Sequence, residues 1–300
     1  MTDQEFRHQR QASVDAGLPS IDANIEPTLV HDIEGPGFGS FKAYHANCLD
    51  ADKILERSSV SLVFTSPPYP GVDQPTDNYV TFPDPMDFNG FHDFLHNVWS
   101  VCYNVIADEG RLVVNIYDIP QGSAGMYPNV ARVIKDCLSI GFVLREDYIW
   151  HKGASYSPPM GSWPLPKGVL SGNTYEHMIV FQKPLQFSQR KIRPQDYPED
   201  VKKAATLGSE EHAWLMDPVW KIKADHEARK MGHPFPFPME LPERFIKLYS
   251  MPTDTVFDPF GGAGTTGLAA QKLGRHGVVT ELSKDFIDLI DVRTAQRSMF

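Results

Sequence analysis

Two stretches of the chain carry residue types that can do chemistry together. The first is Thr65-Ser66-Pro67-Pro68-Tyr69, which follows the apolar run Val60 to Phe64. A hydroxyl, two rigid prolines and a phenol ring at the carboxyl end of a strand suit an exocyclic amine on a flat ring. Such an amine is a poor nucleophile, because its lone pair is delocalised into the ring. The Ser66 hydroxyl and the Pro67 carbonyl can accept its two N–H bonds, so that the nitrogen becomes more tetrahedral and its lone pair turns outward. Neither Pro67 nor Pro68 has an N–H, and both have a fixed φ, so no donor competes for those acceptors. Tyr69 can stack on a base drawn out of a helix. No Pro-Cys dipeptide is present to attack a pyrimidine ring. Taken alone, Ser-Pro-Pro is equally a plain turn, as Ser157-Pro158-Pro159 in the same chain illustrates.

The second stretch is Phe257-Asp258-Pro259-Phe260-Gly261-Gly262-Ala263-Gly264-Thr265-Thr266. Gly262 and Gly264 lie between a strand and a helix, where glycine lets the backbone approach a ligand and a helix start offers unpaired N–H groups. Asp258 suits a cationic group there better than a phosphate. No lysine follows the glycines, which disfavours a nucleoside-triphosphate loop. Thr265 and Thr266 can cap the helix or hold a carboxylate, and Glu281, ending the next strand, can accept both hydroxyls of a ribose. A ribose, a cationic amino group and a carboxylate together describe S-adenosylmethionine, with a dinucleotide as the rival for this turn read by itself.

The elements that must position these residues alternate. Strands are expected at Phe41 to His45, Val60 to Phe64, Arg111 to Tyr117, Phe142 to Trp150, Thr174 to Phe181, Thr255 to Phe257 and Gly277 to Glu281. Helical spacing of apolar residues marks 88–105, 128–140, 241–249, 264–273 and 284–293, with a short helix ending near Arg57. Strands alternating with helices predict an α/β fold with a parallel sheet covered on both faces. Residues 1–35 read as a loose N-terminal arm. The proline-rich stretch 70–86, with Asp73, Asp77 and Tyr79, has no period and is long for a loop inside a compact domain, which makes closure over a base or a purely structural role equal readings.

Bulk properties narrow the partners. The chain of 300 residues is 41% hydrophobic with a net charge of −10, enough for one large domain and too acidic for wholesale coating by nucleic acid. Cys48, Cys102 and Cys137 show no metal or redox spacing, and no apolar run is long enough to span a bilayer, so a cytoplasmic setting without membrane contact is expected. Against the acidic background, Lys183, Arg190, Lys191 and Arg193 form a local reversal of sign. They are read either as a nucleic-acid contact or as a solvated loop. Trp214 and Trp220 further along serve a surface or a core equally well. His92 and His96, four apart on a helix, are read as surface residues, because no third metal ligand is placed near them.

With both stretches in hand, the chain resembles the DNA amino-methyltransferases of the permuted beta group, in which the catalytic tetrapeptide precedes the cofactor motif. Thr65-Ser66-Pro67-Pro68-Tyr69 is similar to the N4-cytosine version, whereas N6-adenine enzymes mostly carry Asp or Asn in place of Ser66. Asp258-Pro259-Phe260 with Gly262, Gly264, Thr265 and Thr266 is similar to the cofactor signature. His233 to Pro238, including Phe237, with Leu241-Pro242 resembles the segment lining the methionine side, and Tyr175-Glu176-His177 the strand before the recognition region. Relatives tend to have Gly-Asp where Ala46-Asn47 stand; that Asp meets the cofactor adenine, and Asn47 retains an amide oxygen for the same contact. The resemblance implies a Rossmann-like, seven-stranded, mostly parallel sheet, formed by 36–182 and 233–300, with target recognition in 183–232. It also implies S-adenosylmethionine as cofactor, duplex DNA as substrate with a flipped cytosine, and a restriction endonuclease as a possible companion. N6-adenine is the alternative target; RNA or a small molecule on the same fold is a more distant one.

Overall fold

The computed structural model describes residues 25–35, 37–68, 88–120, 125–153, 160–161, 165–170, 174–185, 193–224 and 237–297. A nine-stranded sheet runs through the described residues. In chain order its strands are β1 (Thr28–Glu34), β2 (Ser40–His45), β3 (Val60–Thr65), β4 (Ile106–Ile116), β5 (Val143–His151), β6 (Tyr175–Gln182), β7 (Val219–Lys221), β8 (Thr255–Asp258) and β9 (His276–Glu281). In space they lie in the order β1-β2-β9-β8-β3-β4-β6-β5-β7. The seven strands expected from the resemblance form its middle; β1 and β7 extend it at the two edges.

Val60 to Thr65 is almost continuously buried, as a strand covered on both faces must be. Helices α1 (Phe88–Val105) and α2 (Asn129–Ile140) cover one face. There Phe91, Leu95, Val98, Trp99 and Cys102 of α1 pack on Val63, Leu112, Val114, Ile179 and Phe257. The opposite face is covered by α5 (Glu240–Tyr249), α6 (Thr265–Lys272) and α7 (Lys284–Arg297). Leu62, Phe64, Val113, Met178 and Val180 meet Leu241, Phe245 and Ile246 of α5, and Phe41 and Val279 meet Leu268 of α6 and Ile290 of α7. Alternate residues of β3 and β4 thus serve two separate cores.

Two departures from expectation stand out. Thr28–Glu34, read as part of a loose arm, is an edge strand antiparallel to β2. Only His31 and Ile33, on one face, are half-buried, too few positions for a clear alternation. Val219–Lys221 pairs in parallel with β5, and the preceding helices α3 (Glu199–Ala204) and α4 (Ser209–Met216) belong to the same stretch. That stretch is tied to the body of the domain: Tyr197 donates a hydrogen bond to Asp254 (2.7 Å) and Lys247 to Glu211 (2.7 Å). Trp220 is buried, donates to the Trp214 carbonyl (3.2 Å), and both rings carry the Arg244 guanidinium. Both tryptophans are therefore anchors for α5.

Close packing of α6 on β9 depends on glycine. A Cβ on Gly277 would sit 2.4 Å from the Gly267 carbonyl oxygen and 2.7 Å from its Cα. Backbone meets backbone there, with no flexible side chain to yield. Gly277→Ala should cost about 3 kcal/mol of unfolding free energy, at the upper end of overpacking penalties. A urea titration that leaves the midpoint unchanged would contradict this packing.

Candidate active site

The sheet order creates the site. After β3 the chain passes through α1 to β4 on one side; after β8 it passes through α6 to β9 on the other. β3 and β8 are parallel neighbours, with Val63 opposite Phe257. A crevice opens above such a divergence, outside the carboxyl ends of the two strands. The Ser66 turn and the glycine turn form its two sides.

The two sides are fastened to each other. Asp258, 1% exposed, accepts hydrogen bonds from Thr65 Oγ1 (2.7 Å), Thr266 Oγ1 (2.7 Å) and the Phe260 N–H (3.0 Å). Burial pushes its carboxyl up to about 7, against the opposing effect of these three donors. The expectation that this carboxylate faces a cationic group needs correction. Its oxygens are turned inward, where they join the end of β3 to the start of α6. Thr266, read as a cap or a carboxylate ligand, is likewise spent on Asp258.

On the glycine side, Gly264 adopts a left-handed conformation (φ 75°) as the residue before α6. A Cβ there would also press on Phe41 and Ile290 at 3.2 and 3.3 Å. Glu281 accepts the Gly262 N–H on one carboxylate oxygen (2.7 Å) and the Ser283 N–H on the other (2.7 Å). Burial raises its pKa, and these backbone donors work against that. Each oxygen keeps a second lone pair for a diol. Asn47 follows β2, whose last residue lies opposite Glu281. Its amide oxygen caps the short helix Cys48–Lys53 by accepting the Leu49 N–H (3.0 Å). That oxygen, expected to meet an adenine, is already engaged by the backbone. Phe260 packs towards α1, its ring 6.2 Å from Phe94 and 6.5 Å from Trp99.

Arg293 of α7 was not singled out in the sequence. It donates to the Ala263 carbonyl (2.6 Å) and Thr265 Oγ1 (2.9 Å), and so pins the glycine turn from behind. Arg293→Ala should weaken cofactor binding roughly tenfold with little change in kcat, the worth of one charged hydrogen bond. Isothermal titration with S-adenosylmethionine reads this directly.

On the other side, Phe237 packs edge-on against Phe64, ring centroids 5.5 Å apart, which brings the segment before α5 next to the Ser66 turn. Ser66 Oγ receives a hydrogen bond from Asn115 Nδ2 (3.4 Å). Asn115 sits near the end of β4, one residue beyond Val114, which lies opposite Thr65. The sequence did contain a signal, a lone amide in the apolar run Leu112 to Ile116. Further along the same edge, Lys152 is ion-paired with the buried Glu176 and lies 5.5 Å from the centroid of the Tyr117 ring. Burial, with Glu176 close by, pushes the Tyr117 phenol up to about 12. Tyr69 lies outside the described residues.

Of the basic cluster, the described residues Lys183 and Arg193 are not at this edge. β6 runs antiparallel to β4 and β5, so its end at Gln182 lies at the amino edge of the parallel strands. Lys183, 4% exposed, donates there to the Ile106 carbonyl (2.7 Å) and covers the Tyr103 ring. It is part of the interior, and desolvation lowers its pKa. Arg193 is exposed, in the segment that Tyr197 ties to Asp254, just before β8 begins. Arg190 and Lys191 lie outside the described residues. His92, read as a surface residue, is fully buried. Its Nε2 bonds Asn129 (3.0 Å), while His96 contacts Ser139. Among the described residues, no helix is long and apolar enough to cross a membrane.

Solved structures with this arrangement define its class. TTHA0409 from Thermus thermophilus, solved with S-adenosyl-L-methionine, matches with a TM-score of 0.65 at 26% identity, covering 84% of this chain and 93% of that one. PvuII DNA methyltransferase (cytosine-N4-specific) shares the fold, with a TM-score of 0.64 at 23% identity over 89% and 90%. The fold and its crevice are those of S-adenosylmethionine-dependent methyltransferases.

Residues 60–292 match the DNA methylase family of N6 and N4 enzymes, and the chain belongs to that family. Type II methyltransferase M.MthZI of Methanothermobacter thermautotrophicus is 30% identical over 84% of this chain and 76% of its own length. The protein is thus an S-adenosylmethionine-dependent DNA methyltransferase. The residues present fit that cofactor: a turn without side chains at Gly261 and Gly262, and beside it a carboxylate held by backbone donors with lone pairs to spare.

Proposed function

We propose that the protein methylates the exocyclic N4 amine of cytosine at a specific site in duplex DNA, with the target base flipped into the crevice. The observation that carries this reading is the junction of β3 and β8, where Ser66-Pro67-Pro68 and the glycine turn share one crevice braced by Asp258. Ser66 in place of a carboxylate or amide favours cytosine over adenine.

Glu281, the Gly262 turn and Phe237 would hold S-adenosylmethionine, with Asn47 beside them. When bound, that cofactor supplies an electrophilic methyl group on a sulfonium. The rest is the work of this chain. Ser66 Oγ and the Pro67 carbonyl accept the two amine N–H bonds and turn the nitrogen lone pair towards the glycine side. The nitrogen becomes cationic as the new C–N bond replaces the methyl's bond to sulfur, and one N–H proton then passes to solvent. Tyr69 stacks on the base and keeps its amine level with those acceptors. The brace at Asp258 keeps the two sides at a constant separation.

Target recognition is proposed for 183–232. Lys221 lies opposite His151 at the end of β5, so β7 within that segment ends on the Ser66 side. Two relatives are named as type II methyltransferases; a companion restriction endonuclease of this protein would share its target sequence.

The test is transfer of labelled methyl from S-adenosylmethionine to duplex DNA, with mass spectrometry of the released nucleosides. N4-methylcytosine is expected. N6-methyladenine would shift the target to the runner-up, preferential labelling of RNA would move the substrate class, and no labelled nucleic acid would overturn the reading.

A further inference from the structure

Asn115 is 1% exposed, and its Oδ1 is buried with no hydrogen-bond partner among the described residues. Buried amides are normally satisfied at both ends, and an orphaned one calls for an explanation. Its other end reaches Ser66 Oγ, at 3.4 Å. Neighbours on the same side of the sheet, Val113 on its own strand and Met178 across from it on β6, are apolar and buried. Packing alone would therefore favour an apolar side chain such as leucine there, which has the same branching and leaves nothing unpaired.

We propose that Asn115 is a positioning residue that fixes the Ser66 hydroxyl so that a lone pair faces the target amine. An isolated serine hydroxyl rotates, and each rotamer aims its proton and its lone pairs differently. A hydroxyl that turns its proton towards an amine N–H repels it. The Asn115 amide removes that freedom by holding Ser66 Oγ from the side of β4. The long contact in the free protein is of the kind that tightens when substrate arrives. The strand supplies the rigidity: Thr65 and Val114 are adjacent in register, and the two side chains follow from those positions. This inference rests on the methyltransferase reading, and it adds a requirement that the Ser-Pro-Pro stretch alone does not contain.

The experiment is a double-mutant cycle on methyl transfer. Asn115→Leu should lower kcat by about 10- to 100-fold, with the cofactor dissociation constant and the KM for DNA nearly unchanged. Its thermal midpoint should equal or exceed that of the wild type, because an unpaired polar group has been removed. In a Ser66→Ala background the same substitution should cost less than about threefold, because there is no hydroxyl left to position. Asn115→Asp cannot donate to Ser66 Oγ, but its carboxylate can accept the hydroxyl proton and leave the oxygen lone pairs facing the amine, so it should recover most of the lost rate. Asn115→Ala, expected to lose rate like the leucine variant, serves as the probe if that variant fails to fold. Equal rates for wild type and Asn115→Leu, or losses that multiply across the cycle, overturn the proposal while leaving the methyltransferase reading intact. A wild-type protein that methylates no DNA overturns both.

Discussion

Ser66→Ala should lose methyl transfer by about 10²- to 10³-fold, the usual cost of removing one pre-placed hydrogen-bonding group from a site where charge develops. Cofactor affinity should stay within about twofold, since Ser66 is not among the residues proposed to hold the cofactor. The loss should fall on kcat. The amine needs both acceptors only as its nitrogen becomes tetrahedral, and a ground-state base can bind by stacking alone. Stability should change little, because the Ser66 hydroxyl meets Asn115 only through a long bond. Single-turnover transfer, with cofactor binding measured by calorimetry on the same samples, separates these quantities. Full activity in the alanine variant would mean that the amine is held elsewhere, and the crevice assignment would fall.

The second large effect is a pair of opposed pH dependences in stability. Asp258 has its carboxyl raised to about 7 by burial. The folded state therefore holds this proton more tightly than the unfolded chain. Its contribution is fully present below about pH 4 and is lost as pH rises to about 7, amounting to about 4 kcal/mol. His92 has its imidazole lowered to about 4, again first by burial. The folded state resists this proton, so its contribution is full above about pH 6.5 and is lost as pH falls to about 4, about 3 kcal/mol. Between pH 4 and 6.5 the two nearly cancel. Asp258→Asn keeps an acceptor for Thr65 and the Phe260 N–H and removes the first dependence, so relative to wild type it should become acid-labile. His92→Gln should do the reverse and lose stability as pH rises. Urea unfolding of both variants and the wild type across that range checks the signs, and variant curves parallel to the wild type would refute the account.

Much of the fold was legible before any coordinates. Strongly periodic or fully apolar segments, such as Val60 to Phe64 and Leu241 to Tyr249, appear where expected to within a residue or so. Their burial pattern is written into their residue types. Thr28–Glu34 and Val219–Lys221 were not legible. An edge strand with only two half-buried positions, and a strand of three residues, have too little alternation to read. Their place is given by the hydrogen bonds of their neighbours.

For the site, the chemistry belonged to the sequence and the geometry to the sheet. Ser66, the two prolines, the glycine turn and Glu281 could be singled out by type and spacing, because local backbone needs limit which residues can stand there. That Asp258 would turn inward as a brace, that Asn115 would reach Ser66, and that Arg293 would hold the glycine turn all depend on which strands lie side by side. Lys183 makes the same point from the other direction. Its charge suggests a nucleic-acid contact, but the antiparallel course of β6 carries it to the far edge and into the interior. A residue's type limits what it can do; the direction of its strand decides what it meets.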